Sequence, residues 1–235
     1  MKADMRGQPR RPANLTRYAE LCLRALAEQG LGDALSLGGG LGLLHYLDYR
    51  PTHDVDAWWQ PDVTAEMQQR VLDVIAHTLA SYGEVSRKRW GEVVSVELAQ
   101  KGQTVFSFQI VRRSARLQPS VEMPWVGVLV DSLQDIVASK MVALVERGAP
   151  RDFRDIYAVC QADLVSPLEC WQLWERRQRL SGSDTDDARA RLAVETHLRR
   201  IVLHRPLEGI ADDAQREAAQ RVRRWFTEVL LNVRA

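Results

Sequence analysis

The chain has 235 residues, 46% hydrophobic and 27% charged, a globular balance that argues against disorder and fits one α/β domain with an appendage. Its 32 basic and 31 acidic side chains leave a net charge of +1, which excludes a uniformly basic coat for nucleic acid. No apolar run approaches the ~20 residues of a membrane span, and no apolar stretch follows the basic start (Lys2, Arg6, Arg10, Arg11), so a cytoplasmic location is expected.

In chain order, residues 1–13 lack periodicity and read as a flexible tail. Residues 15–29 form an amphipathic helix that Gly30 and Gly32 end. A short strand, 34–37, leads into Gly38-Gly39-Gly40 and a short apolar helix through Leu41, Leu44 and Leu47. Residues 54–59 alternate as a strand, and 65–79 are helical. Three strand-like runs, 85–90, 93–98 and 104–111, are separated by tight-turn signals at Gly91 and Lys101-Gly102, which predicts antiparallel hairpins. One more strand is expected at 126–130.

From Asp131 onward the pattern is helical, opening with a capping signal at Ser132 and Asp135. Ser166-Pro167-Leu168-Glu169 is a full capping box with Pro at the first helical position. It marks a boundary, giving a domain over 14–164 and a helical C-terminal domain over 165–235. Helices are expected at 188–203 and 213–233. The fold class is α/β (α+β), a small mixed sheet with flanking helices and an all-helical C-terminal part. Cys22, Cys160 and Cys170 have no metal-type spacing and lie in apolar helical patterns, as small core side chains do.

Asp54 and Asp56 are the first candidates for chemistry. At i and i+2 of a strand both carboxylates face one side, about 7 Å apart at Cα. They repel unless exposed or sharing a cation such as Mg²⁺, which binds through one or two carboxylates plus substrate phosphates. Two acids on a solvated face is the plainer alternative. Gly38, Gly39 and Gly40 join a strand to a helix and can turn backbone N–H groups toward phosphate, although a Gly triplet also serves as a simple turn. The loop is neither a Walker A motif nor a Rossmann fingerprint, since position 43 is Leu. Arg50 and Thr52, just before the acids, have the chemistry to contact a phosphate, whereas His53 reads as a solvent-facing loop residue.

Only four of the 32 basic residues are Lys, and Lys140 falls on an apolar helix face, about 20° from the line through Leu133, Val137 and Leu144. Such a lysine either snorkels or finds an anion. In Arg151-Asp152-Phe153-Arg154-Asp155, Asp152 borders the apolar face, and an Arg151–Asp155 surface pair at i,i+4 accounts for part of the cluster.

Together these pieces resemble the nucleotidyltransferase superfamily, and within it the AbiEii/AbiGii-type toxin family. That family's pattern is a Gly-Gly-hydroxyl loop, then Arg-x-Ser/Thr-x-Asp-x-Asp, Lys-x-x-Ala-Leu-x-x-Arg and Arg-Asp-x-x-Asp. The matching residues are Gly38-Gly39, Arg50 to Asp56, Lys140 to Arg147, and Arg151 to Asp155, in order. The resemblance implies Mg²⁺ on Asp54 and Asp56, a nucleoside triphosphate on Gly38, Gly39, Gly40, Arg50, Thr52 and Lys140, and Asp152 assisting catalysis. It further implies nucleotide transfer to RNA, tRNA in some relatives, by a toxin that has a cognate antitoxin.

Two positions depart from the pattern. The loop hydroxyl is replaced by Gly40, and the strand expected to carry a third carboxylate offers Gln109, whose amide can neither act as a base nor balance a second Mg²⁺. Glu97 on the adjacent strand is an alternative carboxylate. These departures keep two other readings open: a catalytically impaired nucleotide- or partner-binding module, and a small-molecule nucleotidyltransferase of the antibiotic-modifying type. His197 and His204 read as structural, and Trp171, Trp174, Trp225 and Phe226 as helix packing. The basic clusters at 112–116 and 221–224 are either solvated faces or RNA-backbone contacts.

Overall fold

The computed structural model describes residues 7–113 and 115–234; Lys2 and Arg6 of the basic start and Ser114 of the first Arg cluster lie outside the described residues. The chain divides into two compact units, 1–136 and 137–235. The division falls earlier than the boundary expected near residue 164, inside a continuous helix.

The first unit is built on a seven-stranded mixed sheet. Its strands are β1 (Leu35–Leu37), β2 (Val55–Trp59), β3 (Glu84–Trp90), β4 (Val93–Gln100), β5 (Gln103–Arg112), β6 (Val121–Glu122) and β7 (Leu129–Val130), in the order β3-β4-β5-β2-β1-β7-β6. The hairpins β3–β4 and β4–β5 are antiparallel as the alternation predicts, while β2 runs parallel to β5 and β1 parallel to β7. The last expected strand is shorter than 126–130, because Val126 and Gly127 turn back to donate to the Met123 carbonyl.

One face of this sheet is apolar: Val55, Ala57, Val96, Leu98, Phe106, Phe108 and Ile110 are all buried. Helix α1 (Arg17–Glu28) lies on that face, where the Tyr18 and Phe106 rings meet at 5.8 Å. Helix α3 (Ala65–Ala80) packs on α1, β3 and β4 and is capped by Thr64 Oγ1, which accepts from Met67 N. The other face carries Asp56, Ser95, Glu97, Ser107 and Gln109, so period-2 alternation places the polar groups together. Helix α2 (Gly39–Leu44) follows β1 directly.

The segment expected to be loose is anchored from Pro9 onward. Pro9 and Pro12 are buried, Arg10 N donates to the His45 carbonyl at 2.7 Å, and Ala13 N donates to Asp48 Oδ2 at 2.6 Å.

Helix α4 (Leu133–Glu146) crosses the division between the units. The second unit continues with α5 (Pro150–Gln161), α6 (Pro167–Ser181), α7 (Asp187–His204) and α8 (Asp213–Trp225). The capping box at the start of α6 is fully formed, with Ser166 Oγ accepting from Glu169 N and Glu169 accepting from Ser166 N. The core includes Phe153 against Phe226 (4.6 Å) and Trp171 against Trp174 (5.9 Å), so these aromatics are packing residues. Residues 226–230 widen into a π-type turn instead of continuing the expected helix to 233. That turn buries Phe226 and Leu230 and offers the Leu230 carbonyl to Trp171 Nε1 at 2.9 Å. His197 is structural, with Nε2 at 3.1 Å from the Val145 carbonyl. Among the described residues no helix is long and apolar enough to cross a membrane.

Candidate active site

In the first unit the glycine loop is stitched between two strand ends. Gly38 N donates to the Asp56 carbonyl, and Asp131 N to the Leu37 carbonyl, each at 2.8 Å. Bare backbone is required there. A β-carbon on Gly38 would overlap Trp58 Nε1, and one on Gly39 would overlap the Asp56 carboxylate. Gly39 also has φ +56°, a left-handed conformation that disfavours any side chain. The Asp56 carboxylate is thus laid against the loop itself. Gly40 faces the 50–52 segment, and a β-carbon there would stand 3.1 Å from Thr52 Oγ1 and 3.3 Å from Arg50 Nη2. Arg50 is further held by donation to Tyr49 OH (3.1 Å) and to the Pro51 carbonyl (3.3 Å). Asp54 is exposed just before β2, and His53 is exposed as expected.

The register places Gln109 directly beside Asp56. Gln109 Nε2 donates to Ser107 Oγ at 3.3 Å, which in turn lies 3.1 Å from Ser95 Oγ. Glu97 does not stand in for the missing carboxylate. It lies on β4 opposite Ser107, with β5 between it and Asp56, so the two backbones are separated by at least about 10 Å. Glu97 is instead paired with Lys88 Nζ at 2.5 Å.

Sequence reasoning missed Asp131 and Arg113. Asp131 is 1% exposed, directly follows β7, and accepts from Ser36 Oγ at 2.8 Å. It also forms an ion pair with Arg113, whose guanidinium lies over the Trp58 ring at 5.1 Å and within 3.6 Å of Asp135. Burial raises the Asp131 carboxyl above its usual range, against the opposing pull of Arg113 and Ser36. Arg113 is therefore a buried counter-ion and not a solvated or RNA-facing arginine. The available signal was a carboxylate at the end of a strand parallel to the loop strand, but β7 is only two residues long.

In the second unit the two late motifs interlock. Lys140 Nζ pairs with Asp155 Oδ2 at 2.6 Å, while Arg147 Nε and Nη2 bond the two oxygens of Asp152 at 3.0 and 3.1 Å. Both carboxylates are wholly buried. The expected surface pairing of Asp155 with Arg151 is thus corrected, because Asp155 faces inward to neutralise Lys140. Lys140 does not snorkel to water, since its side chain is only 10% exposed.

Among the described residues no group of three or more His, Cys, Asp or Glu side chains is arranged to hold a metal ion. Asp54, exposed just before β2, and Asp56 on β2 are carboxylates, the ligand type that binds Mg²⁺ one or two at a time alongside substrate phosphates and water.

The sequence profile described as "Nucleotidyl transferase AbiEii toxin, Type IV TA system" matches residues 21–229. The chain belongs to this family. It is a nucleotidyltransferase of the AbiEii toxin type, on an α/β fold with a mixed sheet. No curated protein matches the chain. Similar solved structures include a candidate nucleotidyltransferase from H. pylori, at 15% identity and TM-score 0.49 over 93% of this chain and 96% of that one. Another is an antigenic nucleotidyltransferase-like protein from Paracoccidioides brasiliensis, at 15% identity and TM-score 0.41 over 91% and 95% of the two chains.

Proposed function

We infer that the protein transfers a nucleotide from a nucleoside triphosphate to an RNA acceptor, with tRNA the first candidate, as the toxin of a toxin–antitoxin pair. The observation that carries this reading is the seam between the glycine loop and β2, which sets the Asp56 carboxylate against Gly39. A phosphate-binding backbone and a carboxylate on one rigid seam are what phosphoryl transfer by positioning requires.

Asp54 and Asp56 would hold Mg²⁺, which when bound neutralises phosphate charge and lowers the pKa of a coordinated hydroxyl. Backbone N–H groups of Gly38–Gly40, with Arg50 and Thr52, bind the triphosphate, while in the second unit Asp155 fixes the Lys140 ammonium. The acceptor hydroxyl gives up its proton to solvent water as its oxygen bonds to the α-phosphorus, the bond to the bridging oxygen breaks and pyrophosphate leaves. Both substrates are cytoplasmic, which sets the location, and the toxin reading supplies the second partner, a cognate antitoxin.

The test incubates the protein with each labelled nucleoside triphosphate, Mg²⁺ and total tRNA, beside Asp56→Ala. Label is expected on RNA, with at least about a 100-fold loss in the variant. Label on a small molecule only would favour the antibiotic-type reading. No transfer to any acceptor would sink the proposal.

A further inference from the structure

Neighbouring residues of the 50–54 segment serve different surroundings in the first unit. Thr52 Oγ1 stands beside the glycine loop, 3.1 Å from where a β-carbon on Gly40 would lie. His53 instead lines a cavity of about 350 Å³, whose other walls are Thr16, Arg17 and Tyr18 at the start of α1 and Val105 and Phe106 near the start of β5. That volume lies within the range of about 300–1,000 Å³ usual for small-molecule sites. The inner wall is aromatic and fixed: the Tyr18 and Phe106 rings meet at 5.8 Å, and Gln100 Nε2 donates to Tyr18 OH at 2.8 Å. The rim is exposed, with Val105 37% accessible beside Arg17 and His53. Among the described residues no carboxylate lines the cavity. Arg17 stacks on the Tyr82 ring at 4.8 Å and forms no ion pair with a described residue. A ring-lined apolar wall with an unneutralised guanidinium at its edge suits a nucleobase and its phosphate.

We propose that this cavity receives the terminal nucleotide of a single-stranded RNA acceptor end, with its base against Tyr18 and Val105 and its phosphate on Arg17. The assignment rests on the transfer reading above and supplies what that reading lacks, the residues that recognise the acceptor. The glycine loop, Arg50 and Thr52 are committed there to the triphosphate, and none of them lines this cavity. His53 joins it directly to Asp54, so a nucleotide held here enters one residue away from the proposed magnesium ligands.

The test measures transfer of labelled nucleotide to total tRNA by the full chain, with separate KM values for tRNA and for the triphosphate. The substituted positions, 17 and 105, are exposed, and thermal midpoints confirm that each variant is folded. Arg17→Ala is expected to raise the KM for tRNA about tenfold, the scale of one hydrogen bond to a charged group, and to flatten its salt dependence by about one phosphate contact. Arg17→Lys, which keeps the charge, is expected to recover most of that loss. Val105→Glu sets a carboxylate against the incoming phosphate and is expected to raise the KM for tRNA at least about tenfold, whereas Val105→Thr, uncharged and of the same shape, stays within about threefold of wild type. The KM for the triphosphate is expected to stay unchanged in all four variants. A KM for tRNA that neither Arg17→Ala nor Val105→Glu raises, or a KM for the triphosphate that rises in step with it, overturns the acceptor site while leaving the transfer reading intact. A wild-type chain that labels no RNA overturns both.

Discussion

Lys140 Nζ lies 2.6 Å from Asp155 Oδ2, and each side chain is largely sealed from solvent. With Arg147 on Asp152, this makes the last two motifs one unit, in which Lys140 of α4 and Arg147 just beyond it neutralise Asp155 and Asp152 of α5. Removing Lys140 takes a cationic partner from a buried carboxylate. Lys140→Met and Asp155→Leu are each expected to cost about 1–3 kcal/mol in urea unfolding, and the double variant clearly less than their sum. A double-variant cost equal to the sum of the two single costs would show that the pair is not coupled.

Gly39 and Gly91 both adopt left-handed φ, at +56° and +58°, but only Gly39 meets a neighbour there. Gly91→Ala is expected to cost about 1 kcal/mol, from backbone strain alone. Gly39→Ala adds overlap with the Asp56 carboxylate, so a cost above about 2 kcal/mol is expected, together with loss of nucleotide transfer. Urea midpoints and the labelled-nucleotide assay check both.

His45 is buried, accepts no partner at Nε2, and places Nδ1 2.9 Å from the Leu41 carbonyl. Burial lowers its pKa to about 4, against the opposing effects of the Leu41 bond and Asp48. The unfolded chain therefore binds more protons than the folded one between about pH 4 and 6.5. The neutral ring's contribution is complete above about pH 6.5 and is lost as pH falls, reaching about 3 kcal/mol near pH 4. Asp131, with its raised carboxyl, acts in the opposite sense, so the measurement is the difference between wild type and His45→Phe. That difference is expected to shrink as pH falls from 7 to 4.5; a constant difference would refute the assignment.

The three thiols are expected to be inert in the native chain. Burial pushes the Cys22 thiol up to about 12, and the Cys170 thiol is raised by its contact with Cys160, 3.6 Å away, and by burial. A thiol reagent at pH 8 is expected to label none of them until urea exposes all three. Rapid labelling without urea would contradict the buried placement.

The parts of the site legible in the sequence are those set by local periodicity. Strand alternation in 93–111 places Gln109 on the face of Asp56, and the glycine triplet marks the loop against which Asp56 lies. What was not legible depends on tertiary pairing. Arg113 and Asp131 are 18 residues apart across a segment whose strands are two residues long, too short for a periodic signal. Asp155 has an arginine four residues before it, so helical spacing favours a surface pair, and only the neighbouring helix reveals that burial with Lys140 prevails. The π-type turn at 226–230 likewise meets tertiary partners, since Trp171 and Arg191 both donate to the Leu230 carbonyl.

The close walls around Gly38 and Gly39 also bear on how ligand meets loop. Glycine-rich turns usually surrender much conformational freedom when they grip an anion. Here Trp58, Asp56 and Asp131 act as a mould that has already cast the backbone, so the entropy of ordering is spent during folding and little is left to lose when a ligand arrives.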